Sequence, residues 1–128
     1  MEENIKFSVV AATPHSQVTL TKAGDKCTNW SGQPGQSINY ISCHDNLTFW
    51  DKLAISNADD SEADRVKMNK LGSAVLFTSQ GVPFMQAGEE MLRSKPNEKS
   101  ETGFDENSYS SPDATTFASS PVIKVRLF

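Results

Sequence analysis

Apolar residues recur at three- and four-residue intervals in two stretches of the chain and cluster or alternate briefly in several others. The longest helical pattern runs from about Glu62 to about Ser79. Met68, Leu71, Val75 and Thr78 repeat at that interval, and Val66, Ala74 and Phe77 widen the stripe. Ser61, with Asp64 three residues on, predicts an N-cap, and Gly81 predicts the stop. Such a helix is about 27 Å long, enough to lie across a sheet. A shorter helix is predicted around 47–55 from apolar positions at Leu47, Trp50, Leu53 and Ala54, with Asn46 or Thr48 at its start. Ile38, Tyr40 and Ile41 predict a strand over Gln36–Cys43. Val82–Gly88 predicts a second strand, with Pro83 at its tolerated first position. Strand, helix, strand in this order predicts a parallel pair joined by a right-handed crossover, and hence an α/β fold. Ile5–Val10 suits either a strand or a short surface helix. Ala11–Gln36 and Ser94–Thr116 read as long connections, and Pro121–Phe128 as a strand-like tail.

The strand at Ile38 stops abruptly on His44-Asp45-Asn46, three polar side chains able to bond hydroxyl groups. An apolar strand ending in such a group resembles the C-terminal end of a strand in a (β/α)8 TIM barrel, where that fold carries its chemistry. A complete barrel needs about 250 residues. The 128 residues here would form part of one.

Composition narrows the partners. The formal net charge is -4 and the pI about 5.1, which argues against a nucleic-acid backbone as partner. No segment approaches the roughly 20 apolar residues of a membrane span. Met1-Glu2-Glu3-Asn4 lacks the basic start of an export signal, which leaves both a cytoplasmic and a secreted parent open. Cys27 and Cys43 are too few for a disulfide framework. Cys43 beside His44 raises the question of a metal, but no second ligand cluster accompanies them. Neither metal nor cofactor is expected, and Cys43 reads as a small buried thiol. His15 reads as a solvated loop histidine. Trp30 suits either stacking on a sugar ring or capping a core, and the core reading is favoured.

The run Asn39-Tyr40-Ile41-Ser42-Cys43-His44-Asp45-Asn46-Leu47-Thr48-Phe49-Trp50-Asp51-Lys52-Leu53 resembles the seventh barrel strand and loop of bacterial type I pullulanases, in the α-amylase superfamily of glycoside hydrolases. The similarity continues through Asp60–Arg65, Phe77–Gln86 and Gly88–Lys95, over roughly residues 2–113. It implies a partial (β/α)8 barrel, about the last two strand-helix units. It also implies hydrolysis of α-1,6-glucosidic bonds in pullulan, starch or glycogen by a retaining mechanism. By its match Asp45 is the catalytic transition-state stabiliser, His44 and Asn46 bind substrate, and Asp113 holds a glucose further along the non-reducing side. An α-glucan is the implied partner.

The resemblance also has gaps. The family draws its nucleophile and proton donor from the fourth and fifth strands, which nothing here matches, so the isolated chain is expected to be inactive. Residues 114–128 depart from the family and read as a divergent tail from a truncation or reading-frame artefact. Two other readings stand beside the debranching fragment. One is a non-catalytic glucan-binding module using Trp30, Phe49, Trp50 or Tyr109. The other is a non-functional gene remnant. Glu89 and Glu90 are expected to support the barrel rim through hydrogen bonds.

Overall fold

The computed structural model describes residues 2–19 and 28–106 and the backbone of 116–117. They divide into two compact units, Met1–Ile41 with Leu71–Phe84, and Ser42–Lys70 with Met85–Phe128.

In the first unit the ambiguous N-terminal stretch is a helix, α1 (Glu2–Val9). Lys6 explains the choice. Its ammonium lies 2.7 Å from Glu2 and 2.9 Å from Glu3, pairs that only helical spacing brings together. These two carboxylates push the Lys6 pKa up to about 12. The exit from α1 is strained. Ala11 and Ala12 both sit at φ 58°, in the left-handed region, and both are buried.

A short 3-10 turn, Pro34–Gln36, leads into β1 (Ile38–Asn39), which pairs in parallel with β2 (Val82–Pro83). The expected parallel pair is present, but each strand is shorter than the sequence predicts. The ladder rests on Val82 N–H to Ser37 O and Phe84 N–H to Asn39 O, both 2.8 Å. Pro83 between those donors offers none. Among the described residues this sheet has two strands. Ile38, Tyr40, Val82 and Phe84 consequently remain exposed, with Tyr40 and Phe84 meeting edge to face at 6.3 Å between ring centroids. A cavity of about 390 Å³ lies beside β1, lined in part by Phe7, Ala12, Trp30, Ile38 and Leu76. Trp30 is 62% exposed, so the core reading for this indole is overturned.

Helix α3 (Glu62–Thr78) starts where Ser61 predicts it. The Ser61 hydroxyl accepts from Asp64 N–H at 3.1 Å and donates to the Asp64 carboxylate at 2.7 Å. Its buried face differs from the expected stripe. Val66, Asn69 and Leu76 are buried, whereas Leu71, Val75 and Phe77 are exposed. Apolar residues stand on more than one side of this helix, and periodicity alone could not choose which side is covered.

Gly81 turns the chain from α3 into β2 at φ 105°, which suits glycine. A Cβ there would lie 2.8 Å from Asn39 Nδ2 and 3.1 Å from Ser37 O. The same Asn39 amide donates to the Gln80 carbonyl, so the turn and β1 lock together.

In the second unit α2 (Phe49–Ser56) is capped by Thr48, whose hydroxyl accepts from Asp51 N–H at 3.1 Å. Of the two starts the sequence allowed, Thr48 is the one used. A 3-10 turn (Glu89–Met91) precedes β3 (Arg93–Ser94), which pairs antiparallel with β4 (Thr116–Phe117). Residues 94–106 are not a featureless loop. Pro96 bridges Phe104, and a turn over 97–103 is closed by Asn97 N–H to Gly103 O at 2.8 Å. No described helix is long and apolar enough to cross a membrane.

Gly81→Ala should destabilise the chain by about 1–3 kcal/mol, because the left-handed turn and the clash with Asn39 add. Gly35→Ala meets nothing within 4 Å and serves as the control. Thermal melting followed by circular dichroism should show the midpoint falling for the first and holding for the second. Equal midpoints would contradict the account of this turn.

Candidate functional site

The polar stretch that follows β1 is a turn in the second unit, between buried Ser42 and buried Thr48. His44 and Asp45 point outward, with side chains 66% and 44% exposed. His44 Nε2 lies 3.6 Å from Asp45 Oδ2. Asn46 adopts φ 61°, a left-handed conformation that asparagine tolerates better than most residues. Cys43 is half-buried, and its thiol faces the Asp45 carbonyl at 3.9 Å. An outward carboxylate beside an imidazole can accept from and donate to vicinal hydroxyls together.

What holds this turn lies elsewhere in the sequence. Lys95 is 1% exposed. Its ammonium donates to Asn46 O at 2.6 Å, His44 O at 3.4 Å and Glu106 O at 3.4 Å. Burial pulls the Lys95 pKa down and Arg93 adds to that, while Asp105, Asp51 and Cys43 oppose it. The Lys95 backbone N–H donates to Asp51 Oδ2 at 2.9 Å, and the Ser94 hydroxyl to Asp51 Oδ1 at 2.5 Å. Asp51 is wholly buried in the first turn of α2, where the helix dipole favours a carboxylate.

Glu89 is also buried, at 6% exposure. Neither of its carboxylate oxygens meets a hydrogen-bond partner among the described residues. The expected hydrogen-bonded support is therefore seen only for Glu90, which accepts from Gly88 N–H at 3.0 Å. Burial pushes the Glu89 pKa up to about 7. The Gln86 backbone opposes the rise, Glu90 adds to it, and Arg93 opposes it.

The predicted site residues His44, Asp45 and Asn46 share one turn. Asp113 and Tyr109 lie outside the described residues. Trp30 lies in the first unit beside the cavity, and His15 is exposed, its Nδ1 accepting from Gln17 N–H at 3.1 Å. Among the described residues no group of three or more His, Cys, Asp or Glu could hold a metal ion.

No family model matches the chain. A pullulanase of Bacillus subtilis is 38% identical over 82 residues, covering 64% of this chain and 10% of its own length. The solved pullulanase of Bacillus acidopullulyticus is 58% identical with a TM-score of 0.52, covering 59% of this chain and 8% of that one. The pullulanase of Paenibacillus barengoltzii, solved with maltohexaose and alpha-cyclodextrin, is 37% identical with a TM-score of 0.65, covering 84% and 14%. This chain is a relative of the pullulanases. It spans about a tenth of the length of the curated pullulanases it matches.

Sequence reasoning missed Asp51, Ser94 and Lys95 as parts of the site. An acid among the apolar positions of α2 was a signal for Asp51. Lys95 carries no local signal, because its partners at His44 and Asn46 stand 51 and 49 residues away.

Glu89 makes a pH prediction. Its folded pKa is raised, so its contribution to stability is complete below the unfolded value of 4.5 and is lost as pH rises through about 7. The melting midpoint should fall between about pH 5 and pH 8, and Glu89→Gln should flatten that dependence. An unchanged slope in the variant would assign the pH dependence to another group.

Proposed function

We propose that this chain is part of the (β/α)8 catalytic barrel of a pullulanase-type glycoside hydrolase, about its last two strand-helix units. Residues 1–113 belong to the barrel and 114–128 form a divergent tail. The whole enzyme hydrolyses α-1,6-glucosidic bonds of pullulan, starch or glycogen with retention. The observation that carries this reading is the outward His44-Asp45 pair, 3.6 Å apart, in a chain similar to pullulanases solved with malto-oligosaccharides.

In that reaction the ring flattens toward an oxocarbenium ion and its hydroxyls move. Asp45 accepts from those hydroxyls, and an anion placed for the flattened ring binds it more strongly than the ground state. His44 bonds the same ring, Asn46 faces the neighbouring subsite and Asp113 holds a more distant glucose. The attacking carboxylate and the proton-donating acid match nothing in this chain, so the chain alone does not cleave glucan.

A second reading, glucan binding with no catalytic role, is favoured by the 62% exposure of Trp30, since an exposed indole suits stacking on a sugar ring. One titration separates the two. Maltotriose added to the chain should shift the amide signals of 44–46, and Asp45→Ala should weaken binding about tenfold, the loss expected for a charge-assisted hydrogen bond. Weakening by Trp30→Ala alone would favour the second reading. No maltotriose-dependent shift in the wild-type chain would overturn both.

A further inference from the structure

Asp45 sits between two peptide groups whose carbonyls share one buried cation. The His44 carbonyl belongs to the peptide plane before Asp45, and the Asn46 carbonyl to the plane after Asn46. Lys95 Nζ donates to both, at 3.4 and 2.6 Å. We infer that Lys95 is a positioning residue for Asp45, its ammonium gripping the carbonyls on either side and so fixing the direction of the carboxylate between them. The inference rests on the reading of Asp45 as a glucan-binding group, and deepens it.

The chemistry suits lysine in particular. An ammonium carries three donors and no acceptor, and three carbonyls face it, from His44, Asn46 and Glu106. Residues 44–46 have no strand or helix ladder of their own to hold them. Asn46 is in the left-handed region, a conformation that persists when its surroundings over-determine it. Lys95 in turn cannot drift. Its N–H is bound to Asp51 Oδ2 and its neighbour Ser94 to Asp51 Oδ1, and Asp51 is fixed in the first turn of α2 by the Thr48 cap. The path runs from helix N-terminus to carboxylate, to β3, to ammonium, to the turn. None of these groups would touch the sugar except through Asp45 and its two neighbours.

Two measurements on the 128-residue chain test this without ligand, and a third adds maltotriose. The first is reductive methylation of the wild type. Lys95 should react at least about tenfold more slowly than the exposed Lys52, Lys67 and Lys70, in keeping with an ammonium at 1% exposure. The second is backbone order by nuclear magnetic relaxation. Lys95→Met should lower the order parameters of 44–46 from about 0.85 to below about 0.6 while those of α3 hold. Lys95→Arg, which keeps charge and donors, should retain most of the order. Maltotriose binding to the Met variant should weaken about tenfold. Methylation of Lys95 at the rate of the exposed lysines would overturn the inference, even if the Met variant does not fold. So would an ordered turn in Lys95→Met. Loss of order in that variant, with no maltotriose binding by the wild type, would support the positioning role and overturn the glucan reading.

Discussion

The second unit is arranged around the Asp51 carboxylate, which lies at 0% exposure and accepts from Ser94 Oγ and Lys95 N–H. Removing a carboxylate from water costs several kcal/mol unless its oxygens are bonded. Here a helix start and a short strand, more than forty residues apart in the chain, must meet for that to happen. Once they meet, the chain after Ser94 is in place for Lys95 to reach the turn at 44–46. A single buried anion thus ties the capping of α2, the seat of β3 and the shape of the polar turn together.

The first unit is governed by a different constraint, the tightness of the α3–β2 junction. Gly81 lets Asn39 come close enough to bond the Gln80 carbonyl, and this brings β1 and β2 into register. The pair then has apolar residues on its surface, Ile38, Tyr40, Val82 and Phe84 among them. Parallel strands are ordinarily covered on both faces. Here two strands are paired among the described residues, and these side chains meet solvent.

Chemically, the turn at 44–46 presents one carboxylate and one imidazole. That set can bind and orient a polyol. Breaking a glycosidic bond with retention requires a pair of carboxyl groups about 5 Å apart, with opposed roles, and this turn presents one carboxyl. Glu89 is a buried carboxyl as well, but its raised pKa comes mainly from burial, and it sits beside the 3-10 turn with Glu90 and Arg93 as its charged neighbours.

Much of this was legible in the sequence because it is local. The Ser61 cap, the length of α3, the stop at Gly81 and the strand-helix-strand order all follow from residues within a few positions of one another. So does the polar triplet at 44–46, and the string around it was specific enough to carry the family. Tertiary structure alone decided three further matters. It chose which side of α3 is covered, burying Val66, Asn69 and Leu76 and leaving Leu71 and Phe77 in solvent, because a helix with apolar residues on several sides has no preferred face until something packs on it. It left Trp30 exposed, since an indole is as compatible with a surface as with a core. And it brought Lys95 to the carbonyls of His44 and Asn46, a bond between a side chain and distant backbone that leaves no periodic trace along the chain.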